Sequence, residues 1–230
     1  MVTEYLVFDM DGVLVEVGDS YRETIVQTVA HFTGKSITRE LVQEYKNAGG
    51  WNNDWALSQK IAGDLGVKVD FDTVRAYFDS IFFGTVANGI PDGLMSREVW
   101  IARPGVLEDL NRRFRFALFT GRLQEEARMT LRRFAPQLRF DPFIGAAEVT
   151  HGKPHPEGLE TIAKLTPGSE YWYIGDTVDD ARSARSAGVP FIGIAAPGVP
   201  QRDKLVSLLK AENAMAVLND INELPAFLKP

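Results

Sequence analysis

Five short apolar runs, YLVFDM, FRFALFT, FIGAAEV, YWYIGD and FIGIAA, dominate the pattern of this chain, and from the second onward they alternate with stretches of helical periodicity. Each is rich in Val, Ile, Phe, Leu and Tyr with hardly any polar alternation, which predicts strands buried on both faces. A sixth run, AMAVL near residue 216, is weaker. The intervening patterns predict helices over Leu123 to Phe134, Pro156 to Leu165, Val178 to Ala187 and Arg202 to Leu209. Parallel strands need crossover connections, so strand then helix, repeated, predicts an α/β chain with a parallel sheet.

The alternation fails in one place. Residues 16 to 100 show helical periodicity and hardly any strand pattern, so a helical lobe is predicted to interrupt a sheet domain made of residues 1–15 and 101–230. GDSYRETI carries a capping box, with Ser20 placed to accept from the amide of Glu23 and Glu23 to reach back. It opens an amphipathic run to about Phe32, and further helices are predicted over Thr38 to Lys46, Asn53 to Leu65 and Phe71 to Phe83. Gly and Pro cluster in GTVANGIPDG, and RPGVLEDL restarts the sheet domain with Pro near a helix start. Hinges are expected at Glu16 to Asp19 and Trp100 to Pro104, with closure of the lobe upon them.

Composition removes several classes of function. With 45% hydrophobic and 24% charged residues the chain reads as globular rather than disordered. A net charge of −6 argues against nucleic acid or an anionic membrane as the main partner. Without cysteine there is no disulfide, thiolate nucleophile or Cys-ligated metal, which favours a reducing compartment. The opening MVTEYLVFDMDGVL lacks a basic region, and Asp9 and Asp11 break its apolar run, so neither a signal peptide nor a spanning helix is expected and the chain reads as cytoplasmic. Oligomeric state cannot be read from the sequence.

Polar residues fall at the ends of the predicted strands, where open α/β sheets bind their ligands. The first strand ends in FDMDG, and Asp9 and Asp11, two apart, leave the strand end on one side. Two adjacent carboxylates need a cation or a shared proton to coexist. The second ends in FTGR, bringing the Thr120 hydroxyl and the amides of Gly121 and Arg122 to a predicted helix start, where an anion is favoured. Arg122 itself reads either as a solvated helix-start residue or as a substrate contact. The third is followed by HGKPHPEGL, with Lys153 just before a helix, and the fourth by IGDTVDDARSARSAG, with Asp176 at the strand end and Asp179 and Asp180 after it. A hydroxyl, a lysine and several carboxylates converging make a phosphate-plus-metal site. His151 and His155 lie four apart on a loop with no third ligand evident, which disfavours zinc, and His31 reads as structural. Neither G-x-S-x-G nor G-x-G-x-x-G occurs.

DMDGVL, TGR, GKPHP and GDTVDDARSARSAG resemble the four ordered motifs of the haloacid dehalogenase (HAD) superfamily, over residues 5 to about 195. The insertion after the first motif resembles the type-1 helical cap of its subfamily I, more narrowly IA. The resemblance implies a three-layer Rossmann-like core with an inserted helical cap domain. It implies Asp9 as a nucleophile forming an aspartyl-phosphate, and Asp11 as acid for the leaving group and base for water. Thr120 and Lys153 would bind the phosphoryl group, and Mg²⁺ would take Asp9, the Asp11 carbonyl and Asp176, with Asp180 matching the family's further acid. Oxygen-only ligands suit that hard ion. Asp11 favours phosphate over halide chemistry, because halide leaves without a proton. A phosphatase acting on a small phosphorylated metabolite is therefore expected, with a phosphomutase of the β-phosphoglucomutase type as the alternative. A receiver-like binding module is disfavoured by the long insertion after the first acid.

In the insertion, NAGGWNNDWAL spans residues 47–57. The resemblance implies a cap loop that selects substrate: Gly49 and Gly50 would permit the turn, Trp51, Asn52 and Asn53 would meet the leaving group, Asp54 would cap the next helix and Trp55 would anchor in the cap core. DMDGVLV, SYRE and this stretch together resemble a branch that sometimes accompanies histidine-biosynthesis domains, which implies a link to an intermediate such as histidinol phosphate.

Overall fold

The computed structural model describes residues 3–87 and 90–228. The chain divides into two compact units, one made of Met1–Val15 and Trp100–Pro230, the other of Glu16–Val99.

The first unit is built on six parallel strands in the order Ala216–Leu218, Phe191–Ile194, Glu170–Gly175, Glu4–Phe8, Arg115–Phe119, Phe143–Ile144. Alternate residues of the central strand serve opposite faces, and both faces are buried, which is why these strands carry no polar alternation. Val7 lies on one face with Ala117, Tyr173 and Phe191, packed against Ile162, Ala181, Ala184, Leu205 and Leu209. These come from helices Glu157–Leu165, Val178–Ala187 and Arg202–Ala211. On the other face Phe8 meets Phe116 edge-on at 5.0 Å and Phe140 at 6.0 Å. Burying each such large apolar side chain is worth about 1.5–3 kcal/mol, so the central strand is the best-anchored part of the sheet.

FIGAAEV differs from its reading as a full strand. Only Phe143–Ile144 pairs, and Ala146–Glu148 turns into a 3₁₀ helix. The amide of Ala146 donates to the carbonyl of Arg122 at 2.8 Å, which pulls the chain off the sheet edge.

The second unit contains helices Tyr21–Thr33, Arg39–Ala48, Asp54–Asp64 and Phe71–Phe83, a short hairpin of Val86–Ala87 with Ile90–Pro91, and a 3₁₀ turn at Leu94–Arg97. The hairpin went unread because two-residue strands have no periodicity, and the tip of GTVANGIPDG lies outside the described residues. Tyr21 and Phe82 pack at 4.1 Å in the core of this unit, and His31 stacks on Tyr77 at 3.8 Å. The Ser20–Glu23 capping box does not form: the Ser20 side chain makes no cap bond, and Glu23 instead accepts from Gln27 and Arg39. Two nearby donors outcompeted one backbone amide for that carboxylate.

The loop 47–57 is also part of this unit. Gly49 and Gly50 have φ of 82° and 83°, a conformation that glycine adopts without strain. Asn53 is the helix cap in place of Asp54, accepting from the amide of Ala56 at 2.9 Å. Asp54 is the first helical residue and pairs with Lys46 at 2.5 Å. Trp51 sits edge-on to Tyr45, while Trp55 donates to Asp79 at 2.9 Å beneath the guanidinium of Arg75.

Candidate active site

The sheet order builds the site. Strand Glu4–Phe8 lies between Arg115–Phe119 and Glu170–Gly175, with Phe8 level with Leu118 on one side and Ile174 on the other. One step further, Asp9 leaves the central strand level with Phe119 and Gly175, so Thr120 and Asp176 emerge beside it. The amide of Asp9 still donates to the carbonyl of Ile174 at 2.8 Å, which fixes its backbone to the sheet. The chain then folds tightly: the amides of Val13, Leu14 and Val15 all point at the carbonyl of Met10. Gly12 has φ of 71°, and a Cβ there would stand 2.1 Å from the Asp176 Oδ2. Glycine at this point is what lets the Asp176 carboxylate close on the turn.

Asp9, Asp176 and Asp180, all buried, hold carboxylate oxygens within 4.8 Å of one another. Lys153 is 0% exposed and bridges two of them, its Nζ 2.9 Å from Asp9 Oδ1 and 2.7 Å from Asp180 Oδ1. Its ammonium also lies over the rings of Phe119 at 4.9 Å and Tyr173 at 5.5 Å, which favours the charged form. Asp180, rather than Asp179, turns to this lysine.

Asp180 is gripped from four directions. Its Oδ1 accepts from Lys153 and from the Tyr173 hydroxyl at 2.6 Å, and its Oδ2 from the Thr177 amide at 3.0 Å and hydroxyl at 2.6 Å. Its acceptor capacity is thus largely committed to protein donors, which suits it to aim Lys153. Tyr173 and Thr177 were missed in the sequence. The legible signal was the tyrosine in an otherwise apolar buried strand, whose hydroxyl needs a partner.

The charges explain the titration pattern. Burial raises the Asp9 carboxyl well above its ordinary value; Lys153 opposes this, and Asp180, Asp176 and Asp11 add to it. Burial also acts to raise Asp180, but Lys153 and the bonds from Thr177 and Tyr173 outweigh it and leave it lowered. For Lys153, burial works downward and the two carboxylates upward, and the carboxylates win. One ammonium among three clustered carboxylates leaves an excess of negative charge that a hard dication would offset, and every donor is oxygen.

Arg122 is neither solvated nor at a helix start. The helix begins at Gln124, so Gly121 and Arg122 form a turn ahead of it, and the Arg122 amide donates to Thr120 Oγ1 at 3.2 Å. The guanidinium, 1% exposed, donates from Nε to both Asp11 oxygens at 3.0 and 3.2 Å and from Nη2 to Oδ1, while Nη1 donates to Thr130 at 2.9 Å.

His151 and His155 do have a third potential ligand, Glu157, which the sequence reading had not seen. The hydrogen bonds nevertheless work against zinc. The Glu157 amide donates to His155 Nδ1 at 3.2 Å, which in the neutral ring puts the proton on Nε2 and leaves that nitrogen no lone pair for a metal.

The chain matches the haloacid dehalogenase-like hydrolase family over residues 3–188. It belongs to that family. Among curated proteins, the HAD chain is 33% identical over 201 residues to an imidazoleglycerol-phosphate dehydratase of Phytophthora nicotianae, covering 84% of this chain and 43% of that protein. It is 30% identical over 126 residues to the probable phosphatase IndB of Dickeya dadantii, covering 52% and 53%. The chain thus spans about half the length of these relatives. Among solved structures, a predicted phosphoglycolate phosphatase from Haemophilus somnus superposes with a TM-score of 0.74 at 17% identity, over 99% of this chain and 98% of that one, a likeness of fold. Among the described residues of this HAD protein no helix is long and apolar enough to cross a membrane.

Proposed function

We propose that this HAD hydrolase is a Mg²⁺-dependent phosphatase that cleaves a small phosphorylated metabolite through an aspartyl-phosphate on Asp9. The observation that carries the reading is the Lys153 bridge, 2.9 Å from Asp9 and 2.7 Å from Asp180, within a buried carboxylate cluster at the strand ends. The phosphatase name of IndB supports it as well.

In the first step an Asp9 oxygen bonds to phosphorus as the bond to the leaving oxygen breaks, and a proton from Asp11 goes to that oxygen. In the second, Asp11 takes a proton from water, whose oxygen attacks phosphorus and frees Asp9 and inorganic phosphate. Lys153 screens Asp9 against the dianionic substrate, and with Thr120 it binds the equatorial oxygens. Arg122 fills both lone pairs of Asp11 Oδ1 but only one of Oδ2, so Oδ2 keeps a place for the proton that Asp11 would carry. Asp9, Asp176 and the Asp11 carbonyl would hold Mg²⁺, with Asp180 at its margin anchoring Lys153; the ion would supply positive charge to the phosphoryl oxygens. Trp51, Asn52 and Asn53 are assigned to leaving-group selection, as the family resemblance implies.

The test is a panel of phosphomonoesters assayed with and without EDTA. Histidinol phosphate belongs in it, since one relative is named for a reaction of an imidazole-bearing phosphate ester. Turnover that vanishes with EDTA and returns with Mg²⁺ is expected. Turnover indifferent to EDTA would sink the metal part of the reading.

A further inference from the structure

A groove with a volume of about 700 Å³ runs along helix Gln124–Phe134 and the loop that follows it, wholly within the sheet-bearing unit. None of Asp9, Asp11, Asp176, Asp180, Lys153 and Thr120 lines it, so it is separate from the candidate active site. Its size falls within the range of small-molecule sites.

Its chemistry is specific. Arg128, Arg132 and Arg139 line it against a single carboxylate, Asp141, on a chain whose net charge is −6. Phe143, Leu131 and the exposed Leu165 give it apolar wall as well, while Phe140 is turned into the core against Phe8 and Phe116. The Arg128 guanidinium lies 4.9 Å from the centroid of the Phe143 ring and donates to Gln124 at 3.1 Å, so this cation is held in place with donors to spare. Arg139 pairs with Asp141 at 2.6 Å, which accounts for the one acid. Arg132, in the last helical turn, offsets the helix dipole, but Arg128, in mid-helix, has no such work. A concentration of arginine beside aromatic and aliphatic surface, on an acidic protein, is complementary to an organic anion with an apolar or ring portion.

We propose that this groove binds a small phosphorylated, ring-bearing metabolite of the nucleotide class, at a site distinct from the one at Asp9. Arg128 and Arg132 take the phosphate oxygens and the wall of Phe143, Leu131 and Leu165 takes the ring. The inference goes beyond the phosphatase reading and does not depend on it.

The experiment is calorimetric titration of the whole chain with AMP, ATP and inorganic pyrophosphate, in EDTA so that the carboxylate cluster repels phosphate. At least one nucleotide is expected to bind one per chain, more tightly than pyrophosphate. The double variant R128Q/R132Q is expected to weaken it by about ten-fold or more, as for lost charge-assisted bonds, while leaving turnover of p-nitrophenyl phosphate unchanged. If neither nucleotide binds, or if binding survives R128Q/R132Q and disappears with K153M, the proposal is overturned. Pyrophosphate binding as tightly as the nucleotides would overturn the assignment of the ring to the apolar wall.

Discussion

Arg122 and Asp11 stand 111 residues apart in sequence and are joined by a guanidinium fork, Nε at 3.0 and 3.2 Å from the two carboxylate oxygens, with Thr130 steadying the far nitrogen at 2.9 Å. This pair ties the turn after the first strand to the turn after the second. Leaving one member of such a pair buried without its partner is costly. Arg122→Met is expected to lower stability by about 2–4 kcal/mol, somewhat under the usual range for buried pairs because the Asp11 side chain is 30% exposed. Urea denaturation measures it, and a loss under about 0.5 kcal/mol would place the pair with ordinary surface bridges.

Tyr173→Phe removes one of the four donors on Asp180 and leaves the ring in place. A drop in kcat of roughly ten-fold with KM nearly unchanged is expected, since the hydroxyl is fully buried on Asp180 and would act only through it on the aim of Lys153. Steady-state kinetics with one good substrate separates the two constants. A rise in KM alone would show that the hydroxyl serves binding instead.

The loop that carries Lys153 has a pH-sensitive clasp. Glu157 is pulled down to about 2 by the amides of Thr150 and His151, with the His151 ring adding to them, from an ordinary value of 4.5. A carboxyl with a depressed folded pKa stabilises fully above its unfolded value and loses that contribution as pH falls through the folded one. The melting temperature of the native chain should therefore exceed that of Glu157→Gln at pH 6, and the gap should close between about pH 4.5 and pH 2. A gap independent of pH would contradict the assignment.

Asn53 caps helix Asp54–Asp64, so Asn53→Ala should cost about 1 kcal/mol of stability and Asn53→Asp almost nothing, by thermal melts. Asn52 has no cap to lose. If it reads the leaving group, Asn52→Ala changes the ranking of phosphomonoesters at unchanged stability. An unchanged ranking would leave the loop as a turn.

What the sequence made legible was whatever depends on local pattern. The apolar runs marked the strands because burial on both faces leaves no alternation, and the acids stood out because they sat at the ends of those runs. The Asp11–Arg122 fork was illegible because 111 residues separate its members and only the parallel register brings their turns together. The Ser20–Glu23 box does not form because a side chain's choice among donors is a tertiary matter: Gln27 and Arg39 hold the Glu23 carboxylate instead. At Asn53 the pattern was right and off by one residue, since Asn and Asp compete for the cap and backbone geometry decides. FIGAAEV carried strand composition, but a single hydrogen bond from Ala146 to Arg122 ended the strand early.

The most direct test of the nucleophile is to mix the chain with a ³²P-labelled phosphomonoester and Mg²⁺, quench in acid within the first turnover, and map the label by peptide. The account predicts acid-stable label on the peptide that carries Asp9, chased away by unlabelled substrate and absent from Asp9→Asn, which should also lose turnover. Full turnover in Asp9→Asn, or turnover in the native chain with no label on that peptide, would contradict it.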